Sequence, residues 1–270
     1  MYYASAMFRS GPARFALALG VIFALYQSAE GIGGNILGSM AAQGGFLVAC
    51  LFAAWAMGWR VLRDGGWRAY ALDAREGAPA WFLACFVLAL GVKGAALAAG
   101  SLAGVYSLAP LPCLAPHALI GGFAFAALAT FLPSIAEDIL TRGLWWRQVG
   151  EALSPVTFVA LSAVVYVLNH IFRLANGPAE WAMLACFGVA YAVALVKSGT
   201  LWAAVGLHWG WNLANAALDV VAQVEGDPAV TPYLSGAAHL AMALAVLALA
   251  RRLSPTRPSE PIPPAEPARR

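Results

Sequence analysis

The stretch Ala118–Ala136 is nineteen uncharged residues long and runs directly into Glu137-Asp138-Ile139-Leu140-Thr141-Arg142. A helix of about 20 apolar residues crosses the hydrocarbon core of a bilayer. Three ionisable side chains therefore follow a predicted membrane helix immediately. Such a charge costs roughly 2.5 to 3.5 kcal/mol at a helix centre, so ionisable groups in membrane segments usually face a protein or water-filled interior. We expect these residues to line a polar pocket inside a helical bundle.

The composition of the whole chain agrees with a membrane protein. Hydrophobic residues make up 61% of the 270 residues, charged residues make up 11%, and the mean hydropathy is +0.73. Soluble domains are typically about one quarter charged, so the composition excludes a large soluble domain. The net charge of +3 is small and the basic residues form no stripe, which excludes nucleic acid as a partner.

The cysteines predict neither a metal site nor a redox site. None of the four forms a C-x-x-C pair and three lie in apolar runs, so we interpret them as small apolar packing residues. They are Cys50, Cys85, Cys113 and Cys186.

Hydropathy predicts an all-α polytopic membrane protein with about eight transmembrane helices around a polar intramembrane cavity. Residues 1–252 would form a single membrane domain with a motif-bearing core at about 117–221. Residues 253–270, rich in proline, would form a disordered cytoplasmic tail. The predicted helices are 14–30, 43–59, 80–101, 117–141, 155–172, 180–197, 199–221 and 232–250.

The distribution of Lys and Arg predicts the orientation of these helices. Basic residues are concentrated in alternate connections, with Arg173 as the exception, which places both termini in the cytoplasm. We expect a multi-pass protein of a bacterial inner membrane, in contact with the lipid bilayer. Arg9 and Arg14 before the apolar run Phe15–Leu25 resemble a signal peptide, but no small-x-small cleavage site follows. We therefore predict that the first helix is retained.

The fourth helix carries the first candidate site. Pro133 removes a backbone N–H one turn before Glu137, so a kink or a local opening is expected there. Asp138 and Arg142 are four residues apart and share a helical face, whereas Glu137 is rotated about 100° from Asp138. We predict that Asp138 and Arg142 form a pair while Glu137 points elsewhere. The alternative is that all three are ordinary charges at a cytoplasmic helix boundary.

Two further helices carry polar residues at helical spacing. Tyr166 and His170 share a face near the end of the fifth helix, where a lone histidine is also typical of an interfacial position. The seventh helix carries a stripe that we expect to face the bundle interior, with interhelical hydrogen bonding as the alternative. The stripe consists of His208, Asn212, Asn215 and Asp219. For His239, Lys93 and His117 we expect packing, snorkelling or interfacial roles.

Together these residues resemble the three motifs of the CPBP family of intramembrane endopeptidases, which includes the CAAX prenyl proteases and proteins linked to bacteriocin processing or self-immunity. The motifs are Glu137-Asp138-x-x-x-Arg142, Tyr166-x-x-x-His170 and His208-x-x-x-Asn212. Two positions depart from the usual pattern. Asp138 replaces a second glutamate but keeps the carboxylate, and Tyr166 replaces phenylalanine but keeps the ring.

The resemblance implies a role for each residue. Glu137 would activate a water molecule with help from His170, while His208 and Asn212 would donate hydrogen bonds to the oxyanion. Asp138, Arg142 and Tyr166 would be supporting residues. The reaction would be hydrolysis of a peptide bond in a membrane-associated protein or peptide without a cofactor. The motif positions suggest cleavage near the cytoplasmic face.

Three alternatives remain open at this point. Two histidines and a carboxylate could form a three-ligand zinc site, although the sequence has no H-E-x-x-H motif. A transporter would use the same buried ionisable groups, but no paired repeat is seen. A non-catalytic immunity or scaffold protein would retain the pocket. Nothing in the sequence selects among a prenylated C-terminus, a bacteriocin leader and a sorting signal as substrate.

Overall fold

The structure is a computed structural model that describes residues 8–112 and 114–253. It confirms the all-α polytopic class. Within the described residues, six helical stretches are long and apolar enough to cross a membrane: Pro12–Ile36, Met40–Val61, Ala78–Leu102, Pro116–Val149, Pro178–Ser198 and Thr231–Leu249. Cys113 and nearly all of the predicted tail, residues 254–270, lie outside the described residues.

The α-helices are α1 (Pro12–Ser28), α2 (Met40–Ala56), α3 (Ala78–Leu102), α4 (Pro116–Asp138), α5 (Leu144–Val149), α6 (Pro155–Asn169), α7 (Pro178–Ser198), α8 (Leu201–Val221) and α9 (Thr231–Leu249). π-Helical turns extend three of them, at Ala29–Ile36, Met57–Val61 and Ile139–Gly143. Short 3₁₀ segments cover Gly66–Tyr70, Gly150–Ala152 and Ile171–Asn176.

The predicted count of eight spans is not confirmed, because two helices differ from the other six. α6 is apolar but has only 15 residues. α8 has 21 residues, but its polar stripe lowers its hydropathy, and it is absent from the six apolar spans. Both helices lie in the part of the chain that bears the second and third motifs.

Two short strands were not predicted. β1 (Tyr106–Pro110) and β2 (Ala222–Gly226) pair antiparallel, with Leu108 opposite Val224. The ribbon links the end of α3 to the end of α8 at one end of the bundle.

α8 packs closely against α3 through two glycines one turn apart. A Cβ atom at Gly206 would lie 2.5 Å from the Phe82 carbonyl oxygen, and one at Gly210 would lie 2.8 Å from that of Phe86. Small residues at this spacing allow two helix backbones to approach closely in a membrane. This contact fixes the position of α8, and His208 lies between the two glycines.

The connections between helices gather at two opposite ends of the bundle. At one end, Arg147 pairs with Asp64 at 2.9 Å, Arg75 donates to the Gly199 carbonyl, and the Arg9 amide donates to the Gln148 carbonyl. We call this the arginine-rich end. The opposite end carries the turn near residues 36–40, the β1–β2 ribbon and the 3₁₀ segment that contains Arg173.

The fourth predicted helix ends differently from the prediction. Helical structure continues through Pro133 and beyond 141 to Val149, with the π turn Ile139–Gly143 directly after Asp138. The Thr141 hydroxyl donates to the Glu137 carbonyl at 2.7 Å within this turn. π turns of this kind occur often at functional sites. Arg142 is therefore not a boundary residue but is enclosed in the protein, with 0% of its surface exposed.

Candidate active site

Glu137 lies at the centre of the candidate site. Only 6% of its side chain is exposed. One carboxylate oxygen, Oε1, is 3.3 Å from His170 Nε2, and the other, Oε2, is 3.6 Å from His208 Nε2. The structure thus brings one carboxylate and two imidazoles from three different helical segments to a single point.

Asp138 points away from Glu137 and forms a second polar group. It makes an ion pair with Arg142, and both residues are fully buried. Its Oδ1 also lies 3.0 Å from His208 Nδ1. The guanidinium carbon lies 5.0 Å from the Tyr166 ring centre and 5.1 Å from that of Tyr191. This burial contradicts the alternative that these residues are ordinary charges at a helix boundary.

His170 owes its orientation to the end of α6. The helix ends at Asn169, and His170 adopts φ −84° and ψ 54°, outside the helical region. Its Nδ1 lies 2.7 Å from the Tyr166 carbonyl oxygen, which can only accept, so Nδ1 carries the proton. The opposite ring nitrogen, Nε2, is left to face Glu137.

α8 supplies His208 and Asn212 from one face. His208 is buried and stacks on the Tyr191 ring, with ring centres 4.7 Å apart and planes at 19°. Asn212, one turn further on, donates from Nδ2 to the Ser134 hydroxyl at 3.1 Å. Burial of the stripe decreases along the helix, since Asn215 is half-buried and Asp219 is exposed.

Two residues that the sequence did not assign also belong to the site. Asn169 donates from Nδ2 to Glu137 Oε1 at 3.1 Å. Gln27, from α1, donates from Nε2 to the carbonyl of Asn169 at 2.7 Å and to its Oδ1 at 3.0 Å. The first helix therefore contributes to the site as well. In the sequence, Gln27 is a polar residue near the end of the apolar run of the first helix, and Asn169 directly precedes His170.

His239 is more closely connected than expected. It is fully buried, its Nε2 lies 2.9 Å from the Tyr191 hydroxyl, and its Nδ1 lies 2.8 Å from the Ser235 carbonyl. Lys93 lies over the Trp211 ring at 4.7 Å, which agrees with a packing role. His239 therefore supports the tyrosine on which His208 stacks.

The side chains around Glu137 also bear on the zinc alternative. Within residues 8–112 and 114–253, no group of three or more His, Cys, Asp or Glu side chains has the arrangement of a metal site. Glu137 has its two oxygens directed at different imidazoles.

Comparison with known proteins identifies the part of the chain that holds this site. Residues 116–214 match the family model described as type II CAAX prenyl endopeptidase Rce1-like. The match includes all three motifs, and with the six apolar helices it supports a multi-pass integral membrane protein with CAAX-type endopeptidase activity. No curated protein and no solved structure gives a significant match to the chain. The predicted family is confirmed: over residues 116–214 the chain carries an Rce1-like domain of the CAAX protease family.

Proposed function

We propose that the protein is an intramembrane endopeptidase in which Glu137 activates a water molecule for attack on a peptide bond of a membrane-associated protein or peptide. The observation that supports this most directly is the placement of Glu137. A nearly buried carboxylate has a separate imidazole nitrogen within 3.6 Å of each oxygen. General base catalysis requires such a group within hydrogen-bond reach of the attacking water.

The charges at the site require one additional proton. Glu137 and Asp138 are two buried carboxylates, and Arg142 supplies one permanent positive charge. A buried cluster is strongly disfavoured when its net charge is not zero. One further proton therefore resides on Glu137, His170 or His208, since both imidazoles lie beside the Glu137 carboxylate. This proton can move within the site during the reaction.

The hydrogen bonds of His208 determine the protonation state in which it can donate to an oxyanion. Asp138 is ionised opposite Arg142 and can only accept, so His208 Nδ1 carries a proton. His208 Nε2 then donates to an oxyanion only when the ring holds the additional proton. Asn212 uses one of its two N–H groups on Ser134 and retains the other for the same purpose.

Hydrolysis of the peptide bond then requires two proton transfers by Glu137. Glu137 takes a proton from water while the water oxygen bonds to the scissile carbonyl carbon. His208 and Asn212 donate to the resulting oxyanion, where the loss of one donor typically costs about 10²–10³ in rate. The C–N bond then breaks as Glu137 returns the proton to the leaving nitrogen. Asn169 donates to Glu137 Oε1 during these steps, and His170 Nε2 lies beside the same oxygen.

The test compares the wild-type protein with Glu137→Gln and with a control, Glu76→Gln, which changes an exposed carboxylate in the arginine-rich end. We expect Glu137→Gln to abolish cleavage while folding and membrane insertion remain intact, and Glu76→Gln to retain activity. Mass spectrometry of membrane proteins that accumulate uncut in cells with Glu137→Gln would identify the substrate. Normal turnover by Glu137→Gln would contradict the assignment.

A second arm addresses the zinc alternative. The purified protein is dialysed against a strong chelator and assayed on the substrate identified by the first arm. We expect activity to survive, because the proposed base is the carboxylate itself. Loss of activity that is restored specifically by zinc would replace the glutamate mechanism with metal-assisted hydrolysis.

A further inference from the structure

Tyr191 lies where the helices that carry the three motifs meet. It is fully buried in α7, and its ring stacks on the His208 ring, with ring centres 4.7 Å apart and planes at 19°. The Arg142 guanidinium carbon lies 5.1 Å from the same ring centre, and the Tyr166 ring meets it edge-on at 5.9 Å. Tyr191 is therefore in contact with a residue of each motif, although it belongs to none of them.

The hydroxyl of Tyr191 is held by a buried histidine from α9. His239 Nδ1 lies 2.8 Å from the Ser235 carbonyl oxygen, which can only accept, so Nδ1 carries the proton. In the neutral ring Nε2 is then an acceptor, and the Tyr191 hydroxyl donates to it at 2.9 Å. Both residues are fully buried, so bulk water does not compete for this hydrogen bond.

The His239 ring is itself fixed between two other helices. Phe187, one turn before Tyr191 on α7, stacks on it with ring centres 3.4 Å apart, and Trp211 of α8 meets it at 4.4 Å and 64°. Rotation of the His239 ring would break both contacts, so its Nε2 keeps a constant direction toward Tyr191. Because α9 follows residues 116–214, this support comes from outside the Rce1-like domain.

The plane of the His208 ring depends on this support. Its Nδ1 lies 3.0 Å from Asp138 Oδ1, and its Nε2 lies 3.6 Å from Glu137 Oε2. The terminal torsion of a histidine side chain has broad minima, so a single hydrogen bond at Nδ1 tolerates a tilt of the ring. Such a tilt would move Nε2 away from Glu137. Stacking on a fixed Tyr191 ring prevents it.

We propose that Tyr191 and His239 are positioning residues for the reaction. Tyr191 sets the plane of the His208 ring, and His239 holds Tyr191 in place through its hydroxyl. The inference rests on the proposed function, in which His208 Nε2 must face the oxyanion. Both residues act through His208 and not on the substrate, so their loss should lower kcat and leave KM nearly unchanged.

Nuclear magnetic resonance observes His208 without any catalysis. The chain has four histidines, so protein labelled with ¹³Cε1-histidine in micelles gives four imidazole signals, and the one missing from His208→Gln belongs to His208. This signal senses the ring current of Tyr191. We expect Tyr191→Phe and His239→Leu to shift or broaden it, although neither change removes the aromatic ring on which His208 stacks.

Tyr70→Phe is the matched control. Tyr70 is also fully buried, and its hydroxyl donates to the Ala54 carbonyl at 2.6 Å, in the packing of the segment Gly66–Tyr70 against α2. The control therefore removes one buried tyrosine hydroxyl, as Tyr191→Phe does. We expect it to leave both the His208 signal and kcat unchanged.

Steady-state kinetics on the membrane protein identified through Glu137→Gln measure the effect on the reaction. Since a displacement of 1 Å costs up to about 10²-fold, we expect kcat to fall about 10-fold in Tyr191→Phe and in His239→Leu, with KM within about twofold. The double variant should fall no further, because both changes remove the same hydrogen bond. His239→Gln should recover most of the activity, since its amide oxygen can accept from the hydroxyl.

An unchanged His208 signal in Tyr191→Phe and His239→Leu would overturn the proposal. So would an unchanged kcat, losses that multiply in the double variant, or an equal loss in Tyr70→Phe. If the wild-type protein cleaves no substrate, the proposed function fails, whereas the His208 signal still decides whether the two residues fix its ring. If His239→Leu fails to fold, Tyr191→Phe, which deletes a single oxygen atom, decides the same question.

Discussion

The buried pair of Asp138 and Arg142 gives the most quantitative prediction. Removal of one partner of a buried ion pair typically costs about 3–5 kcal/mol, because the other charge is left uncompensated. Asp138→Asn leaves the guanidinium, which still lies over the Tyr166 and Tyr191 rings. Cation–π contacts contribute about 0.5–2 kcal/mol each, so we expect this variant to lose about 3 kcal/mol.

Arg142→Met should be more damaging than Asp138→Asn. It leaves two buried carboxylates, Glu137 and Asp138, on adjacent residues with no permanent positive charge beside them. We expect a loss near 5 kcal/mol. The double variant Asp138→Asn/Arg142→Met removes both charges and keeps an acceptor for His208 Nδ1. It should lose much less than the sum of the two single variants.

The free energy of unfolding of the wild type and the three variants, measured by denaturant titration in mixed micelles, completes a double-mutant cycle. A coupling energy of at least about 2 kcal/mol is expected, since contacting charges are not additive. Losses that add within about 0.5 kcal/mol would refute the argument that both groups are buried as a pair. So would a larger loss for Asp138→Asn than for Arg142→Met.

Two further predictions concern positioning and packing. Gln27→Leu removes two hydrogen bonds from buried Asn169, which in turn holds Glu137. In steady-state kinetics on the identified substrate, kcat should therefore fall by up to about 10²-fold with KM little changed. A change in KM alone would contradict this. Gly206→Ala should destabilise the protein by about 1–3 kcal/mol in the same unfolding assay, because its Cβ would meet a carbonyl oxygen at 2.5 Å. Gly91→Ala is the control, since a Cβ there meets nothing within 4 Å, and equal losses for the two variants would disprove the close helix contact.

The sequence predicted the helix that carries each motif, because charges and amides in long apolar runs are informative at helical spacing. The separation of Asp138 and Arg142 by four residues correctly predicted their pairing. The sequence did not predict that the helical stretch continues to Val149. As an alternative, Arg142 was a charge at a cytoplasmic helix boundary, whereas the protein itself encloses it.

The contribution of Asn169 could not be predicted from periodicity. On a regular helix, neighbouring residues differ by about 100°, so Asn169 and His170 would face different directions. The helix ends between them, and the changed backbone direction at His170 allows both side chains to reach Glu137. The partner of Asn169, Gln27, is 142 residues away in sequence, and no local pattern connects the two.

The short length of α6 bears on where His170 lies in the membrane and on whether water reaches it. A helix of 15 residues extends about 22 Å, less than the hydrocarbon core of about 30 Å. We therefore expect His170 to lie within the membrane. The chain continues as the 3₁₀ segment Ile171–Asn176, whose residues are largely exposed. Backbone polar groups at that depth are tolerated only against protein or water. A cavity of about 680 Å³, lined by Tyr26, Pro133 and Arg173, lies beside this segment. We expect water in it to bond to these backbone groups and to be available for hydrolysis at Glu137.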